Sequence, residues 1–168
     1  MTRLRSSAKV RWWEGARGEW YVVVQVFLFA LVAFGPRTVA WAPPWTGRLA
    51  GAAMVTGIAL MVAGGGLLVA AFARLGRNLT PLPCPKDDGH LVQTGVYGMV
   101  RHPIYCSACA LAIGWALCVR SPLTIGYAVL LLLFLDLKSR HEERWLLAKF
   151  PAYADYRKRV RKLIPFVY

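Results

Sequence analysis

Four apolar stretches dominate the chain, and polar segments of unequal length separate them. The stretches cover residues 20–41, 49–73, 104–119 and 123–137. A helix needs about 20 apolar residues to span the hydrocarbon core of a bilayer, and shorter or tilted spans are tolerated inside a bundle. The pattern therefore predicts an all-α integral membrane protein, a helical bundle with about four transmembrane helices.

Residues that start or interrupt helices mark the boundaries of these stretches. Gly35-Pro36-Arg37 interrupts the first stretch, so the end of that helix is left open. Pro103 suits the first turn of the third helix, where a missing N–H costs no hydrogen bond. Arg120-Ser121-Pro122 joins the last two stretches as a hairpin. An up-and-down pair brings the residues before Pro103 and those after Leu137 to the same end of the bundle.

The polar segments also carry structural signals. The longest, residues 74–101, contains alternating prolines between Thr80 and Pro85, which predict extended chain, and the turn signal Lys86-Asp87-Asp88-Gly89. A connection this long in a compact protein is usually functional. After residue 137 the fourth helix is expected to continue into water. An amphipathic C-terminal helix on the cytoplasmic membrane surface is then predicted from the spacing of four residues: Phe150, Tyr153, Arg157 and Val160.

The distribution of basic residues adds a topology. Lys and Arg outnumber Asp and Glu by 21 to 8, which in a soluble protein would suggest a nucleic-acid partner. Here the basic residues alternate along the chain: five in 1–19, two in 37–48, four in 74–102, Arg120 alone, and nine in 138–162. This is the positive-inside pattern of four spans with both termini in the cytoplasm. We expect no nucleic-acid partner, and the basic tail is suited to anionic lipid headgroups.

Several kinds of site are absent from the sequence. Cys106 and Cys109 form a C-x-x-C pair, but no second pair or nearby His completes a zinc set, so no metal site is expected. There is no G-x-G-x-x-G, no P-loop, no H-E-x-x-H and no G-x-S-x-G. The pattern of a Rossmann cofactor site is therefore missing.

Two groups of polar residues flank the predicted hairpin. The first is Gly95-Val96-Tyr97 with Arg101-His102-Pro103-Ile104-Tyr105, and the second is Glu142-Glu143 with Phe150-Pro151-Ala152-Tyr153 and Tyr156. Taken alone, the first could be a helix entry with a basic anchor, and the glutamates could be a solvated pair satisfied by Arg140 and Arg144. Because the hairpin brings both groups to one membrane face, we expect a functional site there.

In this order, the two groups resemble the isoprenylcysteine carboxyl methyltransferases and related integral-membrane phospholipid methyltransferases. The resemblance runs from about Gly89 to Phe166, and the first two apolar stretches match only in being hydrophobic. It implies S-adenosylmethionine as the methyl donor. We expect a single methyltransferase-like domain over residues 1–168, with the cofactor and catalytic region within about 74–166.

The resemblance also implies which residues form the site. Those that would surround the cofactor are Gly89, His90, Leu91, Val92, Tyr97, His102, Pro103, Ile104, Tyr105 and Glu142. The candidate catalytic residues are Lys138, Arg101 and Glu142. In the resembling carboxyl methyltransferases, a basic residue one turn before the glutamate contacts the acceptor. Lys138 stands there, where the enzyme for prenylated proteins has arginine, and Arg140 is the alternative contact.

The chemistry of these side chains suits the cofactor. Tyr97 and Tyr105 can offer ring faces to a sulfonium cation. Glu142 can accept hydrogen bonds from an ammonium or from ribose hydroxyls. The free N–H groups after Pro103 can hold a carboxylate.

The predicted function is methyl transfer to a lipophilic small-molecule or lipid acceptor at the cytoplasmic membrane face. The acceptor atom is left open between a carboxylate oxygen, an amine nitrogen and a thiol sulfur, and Lys138 and Arg101 favour an acceptor with a negative group. Two alternatives remain. One is an NADPH-dependent membrane reductase of the steroid-reductase-like type, and the other is a non-catalytic small membrane protein.

Overall fold

The computed structural model describes residues 18–41 and 43–168, and in this part of the chain the regular structure is helical. The α-helices are α1 (Glu19–Phe34), α2 (Gly47–Leu75), α3 (Pro103–Cys118), α4 (Pro122–Lys149) and α5 (Tyr153–Arg159). Single 3₁₀ turns cover Gly76–Asn78 and Gly95–Gly98. The predicted all-α class is confirmed here. Most of the basic segment 1–19, and with it the predicted placement of the N-terminus, lies outside the described residues.

The helix boundaries agree with the apolar stretches except at the ends of the first and the fourth. α1 ends at Phe34, because Gly35 turns to extended backbone (φ −63°, ψ 164°) and a residue before proline disfavours the helical conformation. α4 continues past the apolar run to Lys149, as predicted. It stops before Phe150, which is likewise followed by a proline.

The four long helices run alternately up and down. Gln25 of α1 contacts Lys138 of α4, and farther along α1 Gly35 lies against Tyr127, so these two helices are antiparallel. At the end of the bundle away from residue 138, the Ser121 hydroxyl donates to the carbonyl of Arg37 over 2.6 Å. The start of α3 and the second half of α4 therefore share one end of the bundle, as the hairpin predicts.

Glycines bring α2 and α3 into close contact. A Cβ added at Gly57 would lie 2.6 Å from the carbonyl oxygen of Gly114, and one added at Gly114 would lie 2.7 Å from that of Gly57. Gly64 packs in the same way against Ser107 and Ala110. Gly66, in contrast, faces open space, with no atom within 4 Å of an added Cβ. Small residues thus set the distance between these two helices, as expected in lipid.

The outer surface of the bundle is apolar. Two helices are long and apolar enough to cross a membrane: α2 with its following turn, and α4. In the most apolar 18 residues of each, only 17% and 33% of the residues are buried. Large side chains such as Phe27, Val55, Val62 and Val69 are mostly exposed. α1 and α3 are shorter apolar helices of 16 residues. Apolar side chains that point outward all round a helix are typical of a membrane span.

Candidate active site

A cavity of about 400 Å³ lies at the end of the bundle where α2 ends and α3 begins. Side chains of α1, α2, α3, α4 and α5 line it together with the segment between α2 and α3. Every residue predicted above for the site lines this cavity: Gly89, His90, Leu91, Val92, Tyr97, Arg101, His102, Pro103, Ile104, Tyr105, Lys138 and Glu142. The structure thus brings the two polar groups of the sequence together, while their individual roles stay predictions.

Three contacts join the start of α3 to the second half of α4. Arg101 Nε donates to Glu143 Oε1 over 2.8 Å, and His102 Nε2 lies 3.2 Å from the same oxygen. The Tyr105 hydroxyl donates to Glu142 Oε2 over 2.9 Å. These contacts fasten the hairpin at the cavity.

Glu143 is a buried structural partner in this arrangement. Glu143 is 4% exposed, and a second arginine, Arg157, places its Nε 3.5 Å from the other carboxylate oxygen. The alternative interpretation, in which the two glutamates are a solvated pair satisfied by Arg140 and Arg144, is therefore wrong for Glu143. Arg140 pairs instead with Asp136, one turn earlier on the same helix face, over 2.8 Å.

Glu142 faces the cavity and is less enclosed. Its side chain is 24% exposed, and its nearest polar neighbours are the Tyr105 hydroxyl and His102 Nδ1, the latter 3.7 Å from Oε2. The His102 and Tyr105 rings stack with centroids 5.5 Å apart and planes only 6° apart. Glu142 and the Tyr105 ring are therefore held in position by protein contacts alone.

Lys138 is fully enclosed although it carries a charge. It is 2% exposed, and its ammonium donates to the side-chain oxygen of Gln25 and, over 3.1 Å, to the carbonyl of Pro81. The same ammonium lies 5.5 Å from the centroid of the Tyr105 ring. Arg140 does not line this cavity; it lines a separate cleft and donates to Asp136 and Tyr168. Of the two candidate acceptor contacts, only Lys138 is placed at the cavity.

Arg101 lines the cavity, but its donors are used within the protein. Besides Glu143, its guanidinium donates to the backbone carbonyls of Arg157 and Val160. Its own backbone N–H donates to the Arg161 carbonyl over 2.8 Å. These contacts of Nε, Nη1 and the backbone N–H fasten the C-terminal segment to the entry of α3.

The first turn of α3 offers free backbone donors. The first helical hydrogen bond runs from the Cys106 N–H to the His102 carbonyl over 3.0 Å. The N–H groups of Ile104 and Tyr105 precede it, and both residues line the cavity. Such a helix start favours an anionic group.

The segment before the first polar group covers the cavity. The predicted turn at Lys86–Gly89 is confirmed by the Gly89 N–H, which donates to the Lys86 carbonyl over 3.1 Å. The Asn78 side chain holds the next residue, donating to the His90 carbonyl and accepting from the His90 N–H, each over 3.2 Å. Lys149 ties the end of α4 to the same turn by donating to the Asp87 carbonyl over 3.0 Å.

Tyrosines of α5 form another wall. The Tyr156 hydroxyl donates to the Tyr97 carbonyl over 2.5 Å. The Tyr153 hydroxyl is buried near the Glu143 carboxylate. Burial, and then the Glu142 carboxylate, raise the pKa of Tyr97 to about 12, so its phenol stays neutral. The predicted amphipathic helix is shorter than expected, excluding Phe150 and Val160, and its tyrosines face the cavity.

Gln25 is a site residue that the sequence patterns did not single out. It lies in α1, the part of the chain matched only by hydrophobicity, and its side chain binds Lys138. One signal was present: between Trp20 and Phe34, Gln25 is the lone side chain that carries an amide or a charge. Such residues usually face the interior of a membrane bundle. Tyr153 and Tyr156 were part of the resemblance but had no assigned place in the site.

A second, apolar cavity of about 730 Å³ adjoins the first. It lies between α1, α2 and α3 and is lined largely by apolar side chains such as Phe29, Leu68 and Leu111. Four residues line both cavities: Gln25, Phe72, Ile104 and Tyr105. Among residues 18–41 and 43–168, no three His, Cys, Asp or Glu side chains converge as metal ligands would.

An all-helical bundle with an apolar outer surface and an end cavity that contains ionisable side chains is the architecture of a membrane protein. Comparison with known sequences identifies the family. A family model described as phospholipid methyltransferase matches residues 52–152. The match covers more than half of the chain, so the chain belongs to the phospholipid methyltransferase family.

Individual relatives confirm the resemblance to isoprenylcysteine methyltransferases. The protein-S-isoprenylcysteine O-methyltransferase of Saccharomyces cerevisiae is 38% identical over 85 residues, covering 49% of this chain and 36% of the relative. The Homo sapiens enzyme of that name is 33% identical over 117 residues, 67% of this chain and 41% of its own length. In Arabidopsis thaliana, form B is 30% identical over 115 residues, covering 66% of this chain and 58% of the relative.

A solved structure shows the same fold. It is that of the eukaryotic intramembrane Ras methyltransferase, isoprenylcysteine carboxyl methyltransferase, with a TM-score of 0.62 and 29% sequence identity. The match covers 88% of this chain and 51% of that chain. The match covers about half or less of the Saccharomyces cerevisiae and Homo sapiens enzymes and of the solved structure. It covers 58% of the Arabidopsis thaliana relative.

Proposed function

We propose that the chain is an S-adenosylmethionine-dependent membrane methyltransferase that transfers a methyl group to a lipophilic acceptor. The observation that carries this proposal is the junction of the two cavities. The cavity that contains Glu142 and Lys138 meets a second cavity without these charged groups at Tyr105, so a charged donor and an apolar acceptor have adjoining places. The names of the relatives support the reaction type.

The side chains present fit the methyl donor. A volume of about 400 Å³ lies within the usual range for small-molecule sites. Bound S-adenosylmethionine would supply an electrophilic methyl group on a sulfonium sulfur. Tyr97 and Tyr105 offer ring faces to a cation, and Glu142 offers a carboxylate to an ammonium or hydroxyl.

The main task of the protein in this reaction is to position the donor and the acceptor. Methyl transfer by in-line displacement needs aligned reactants and an excluded solvent more than it needs acid–base groups. The contacts of Arg101 and His102 with Glu143 hold α3 and α4 together at the cavity. Residues 89–92 and the α5 tyrosines enclose it.

The acceptor best suited to the geometry is an amphiphile with an anionic head. Its apolar chain would lie between α1, α2 and α3, and its head would reach Lys138 at the junction. An isoprenylcysteine carboxylate, the acceptor in the relatives' names, has this form. An amine or thiol acceptor would gain nothing from the Lys138 ammonium.

We further propose four transmembrane helices, with the polar cavity at the cytoplasmic face and both termini on that side. α1 and α3 have 16 residues each, about 24 Å at 1.5 Å per residue, which is short for a core of about 30 Å. Packing against the longer α2 and α4 supports such short spans, because a bundle tolerates mismatch locally. The nine basic residues of 138–162 support the cytoplasmic placement.

The test is ligand-dependent stability followed by methyl transfer. S-adenosylmethionine or its demethylated product at one hundred times its dissociation constant should stabilise the purified protein by about 2.7 kcal/mol. A labelled donor should then label a component of a total lipid extract. Stabilisation by NADPH and by neither of these compounds would point to the reductase. Donor binding with no labelled lipid from any extract would point to the non-catalytic protein.

A further inference from the structure

A second polar concavity lies beside the proposed active site. It has a volume of about 500 Å³ and is formed by α4, α5 and the segment that follows α5. We call it the basic cleft, because its basic lining residues are Arg101 together with Arg140, Arg144, Arg157, Lys158, Arg161 and Lys162. Arg101 lines the basic cleft and also the 400 Å³ cavity proposed to bind the methyl donor, which we call the donor cavity. The two concavities therefore share one wall.

The basic cleft has far more positive than negative charge. Glu143 is the one side-chain carboxylate among the lining residues, and the side chains of Asp136 and Asp155 pair with lining cations from outside. Seven basic side chains against these three carboxylates leave an excess of four positive charges. A concave surface with such an excess attracts anions.

Two of the cations have no partner among the described residues. The Arg144 and Arg161 side chains are exposed and form no hydrogen bond or ion pair with residues 18–41 or 43–168. Lys162, in contrast, is 6% exposed and holds Asp136 at 2.6 Å. The guanidinium groups of Arg144 and Arg161 are thus free to bind an anion, and their planar fork matches the oxygens of a phosphate.

The surroundings of the basic cleft point to a lipid rather than a soluble phosphate. The segment on its border exposes large apolar side chains, Ile164 at 47%, Phe166 at 81% and Val167 at 71%. Apolar side chains beside a cluster of Arg and Lys are typical of a segment that lies in the headgroup region of a membrane. A phosphate held in the basic cleft would then belong to a molecule whose chains lie among these residues.

We propose that the basic cleft binds the phosphate headgroup of an anionic phospholipid. The inference rests on the membrane placement proposed above and is independent of methyl transfer. A phosphatidylglycerol headgroup would sit between Arg144 and Arg161, with the exposed C-terminal side chains against the acyl region.

The experiment uses the full chain purified in neutral detergent. Phosphatidylglycerol, phosphatidylcholine and inorganic phosphate are titrated separately, with lipid retention followed by native mass spectrometry and stability by the melting temperature. Phosphatidylglycerol should be retained and should raise the melting temperature, and phosphatidylcholine and inorganic phosphate should do neither. Equal retention of both lipids would overturn the proposal, and so would an equal effect of inorganic phosphate, because the occupant would then be a soluble anion.

A matched pair of variants separates the site from overall charge. Arg144→Gln with Arg161→Gln should weaken phosphatidylglycerol binding about tenfold or more. Arg48→Gln with Arg120→Gln removes the same charge at the opposite end of the bundle and should leave the affinity unchanged. An equal loss in both pairs would refute a local site. Stabilisation by the methyl donor, measured in the same samples, reports separately on the donor cavity.

Discussion

Tyr105 donates its hydroxyl hydrogen to Glu142 across 2.9 Å, from the first turn of α3 to the second half of α4. The next residue, Glu143, turns away and takes the buried contacts with Arg101 and His102. Successive residues of a helix are rotated by about 100°, so two adjacent carboxylates face different surroundings. Glu142 borders the cavity and Glu143 holds the hairpin together, so the two should respond differently to substitution.

Glu142→Gln should weaken binding of the methyl donor with little change in the stability of the free protein. The lost charge-assisted hydrogen bond is worth about 1.5–3 kcal/mol, a loss of about tenfold or more in affinity. Calorimetric titration with the demethylated donor gives the affinity, and thermal unfolding gives the stability. An unchanged affinity would remove Glu142 from the donor site.

Glu143→Gln should act mainly on stability. It leaves the buried Arg101 guanidinium without its carboxylate, and breaking a buried ion pair costs about 3–5 kcal/mol. The measurement is the melting temperature of Glu143→Gln compared with that of Glu142→Gln, which makes the same chemical change at the neighbouring position. Equal and small effects of the two substitutions would contradict the division of roles.

Lys138→Ala should lower turnover and leave donor affinity nearly unchanged. The ammonium lines the first cavity and lies beside Gln25 and the Tyr105 ring, which line both cavities. Under the proposed function its loss removes a contact with the acceptor. Lys138→Met keeps the buried volume and serves as the control for packing. Lys138→Arg should retain more activity than either, though less than the parent protein, because the guanidinium has a different shape.

The measurement for the Lys138 variants pairs calorimetric donor affinity with counts of methylated product, once an acceptor is known. Loss of donor binding in Lys138→Met would place this residue in the donor site instead. No change in either quantity would show that Lys138 has neither role.

Gly114→Ala should destabilise the bundle. The new methyl group would lie 2.7 Å from the carbonyl oxygen of Gly57, so α2 and α3 must move apart at a cost of about 1–3 kcal/mol. Gly65→Ala is the matched control, since an added Cβ there meets no atom within 4 Å. It should be neutral or should stabilise α2 by up to about 1 kcal/mol. Similar melting temperatures for the two variants would contradict the close helix contact.

Reporter fusions test the proposed topology. A reporter fused after residue 168 should report the cytoplasm, and one inserted at Arg120 should report the opposite side. The physical reason is the excess of basic residues around the end of α4 compared with the single Arg120 of the α3–α4 turn. A C-terminus on the far side would place the donor cavity away from the cofactor supply.

Much of the architecture is already present in the order of apolar and polar residues. Apolar runs bounded by Pro103 and Pro122 define α3 and the start of α4 to within a residue or two, because burial in lipid or protein acts locally on every turn of a helix. The hairpin then requires Arg101–Tyr105 and Glu142–Glu143 to meet, since two antiparallel helices return the chain to its starting side. The positions lining the cavity follow from that geometry and from the family resemblance.

Pairing within the site was decided only by tertiary structure. The sequence offers Glu143 nearby arginines at Arg140 and Arg144, yet its partners are Arg101 and His102, distant in the chain and aligned by helix rotation. In the same way Gln25 reaches Lys138 because α1 packs antiparallel to α4, which no local pattern encodes. Hydrophobic periodicity specifies which residues are buried in protein or lipid, away from water. Which charged groups then share a buried space depends on how whole helices are rotated against one another.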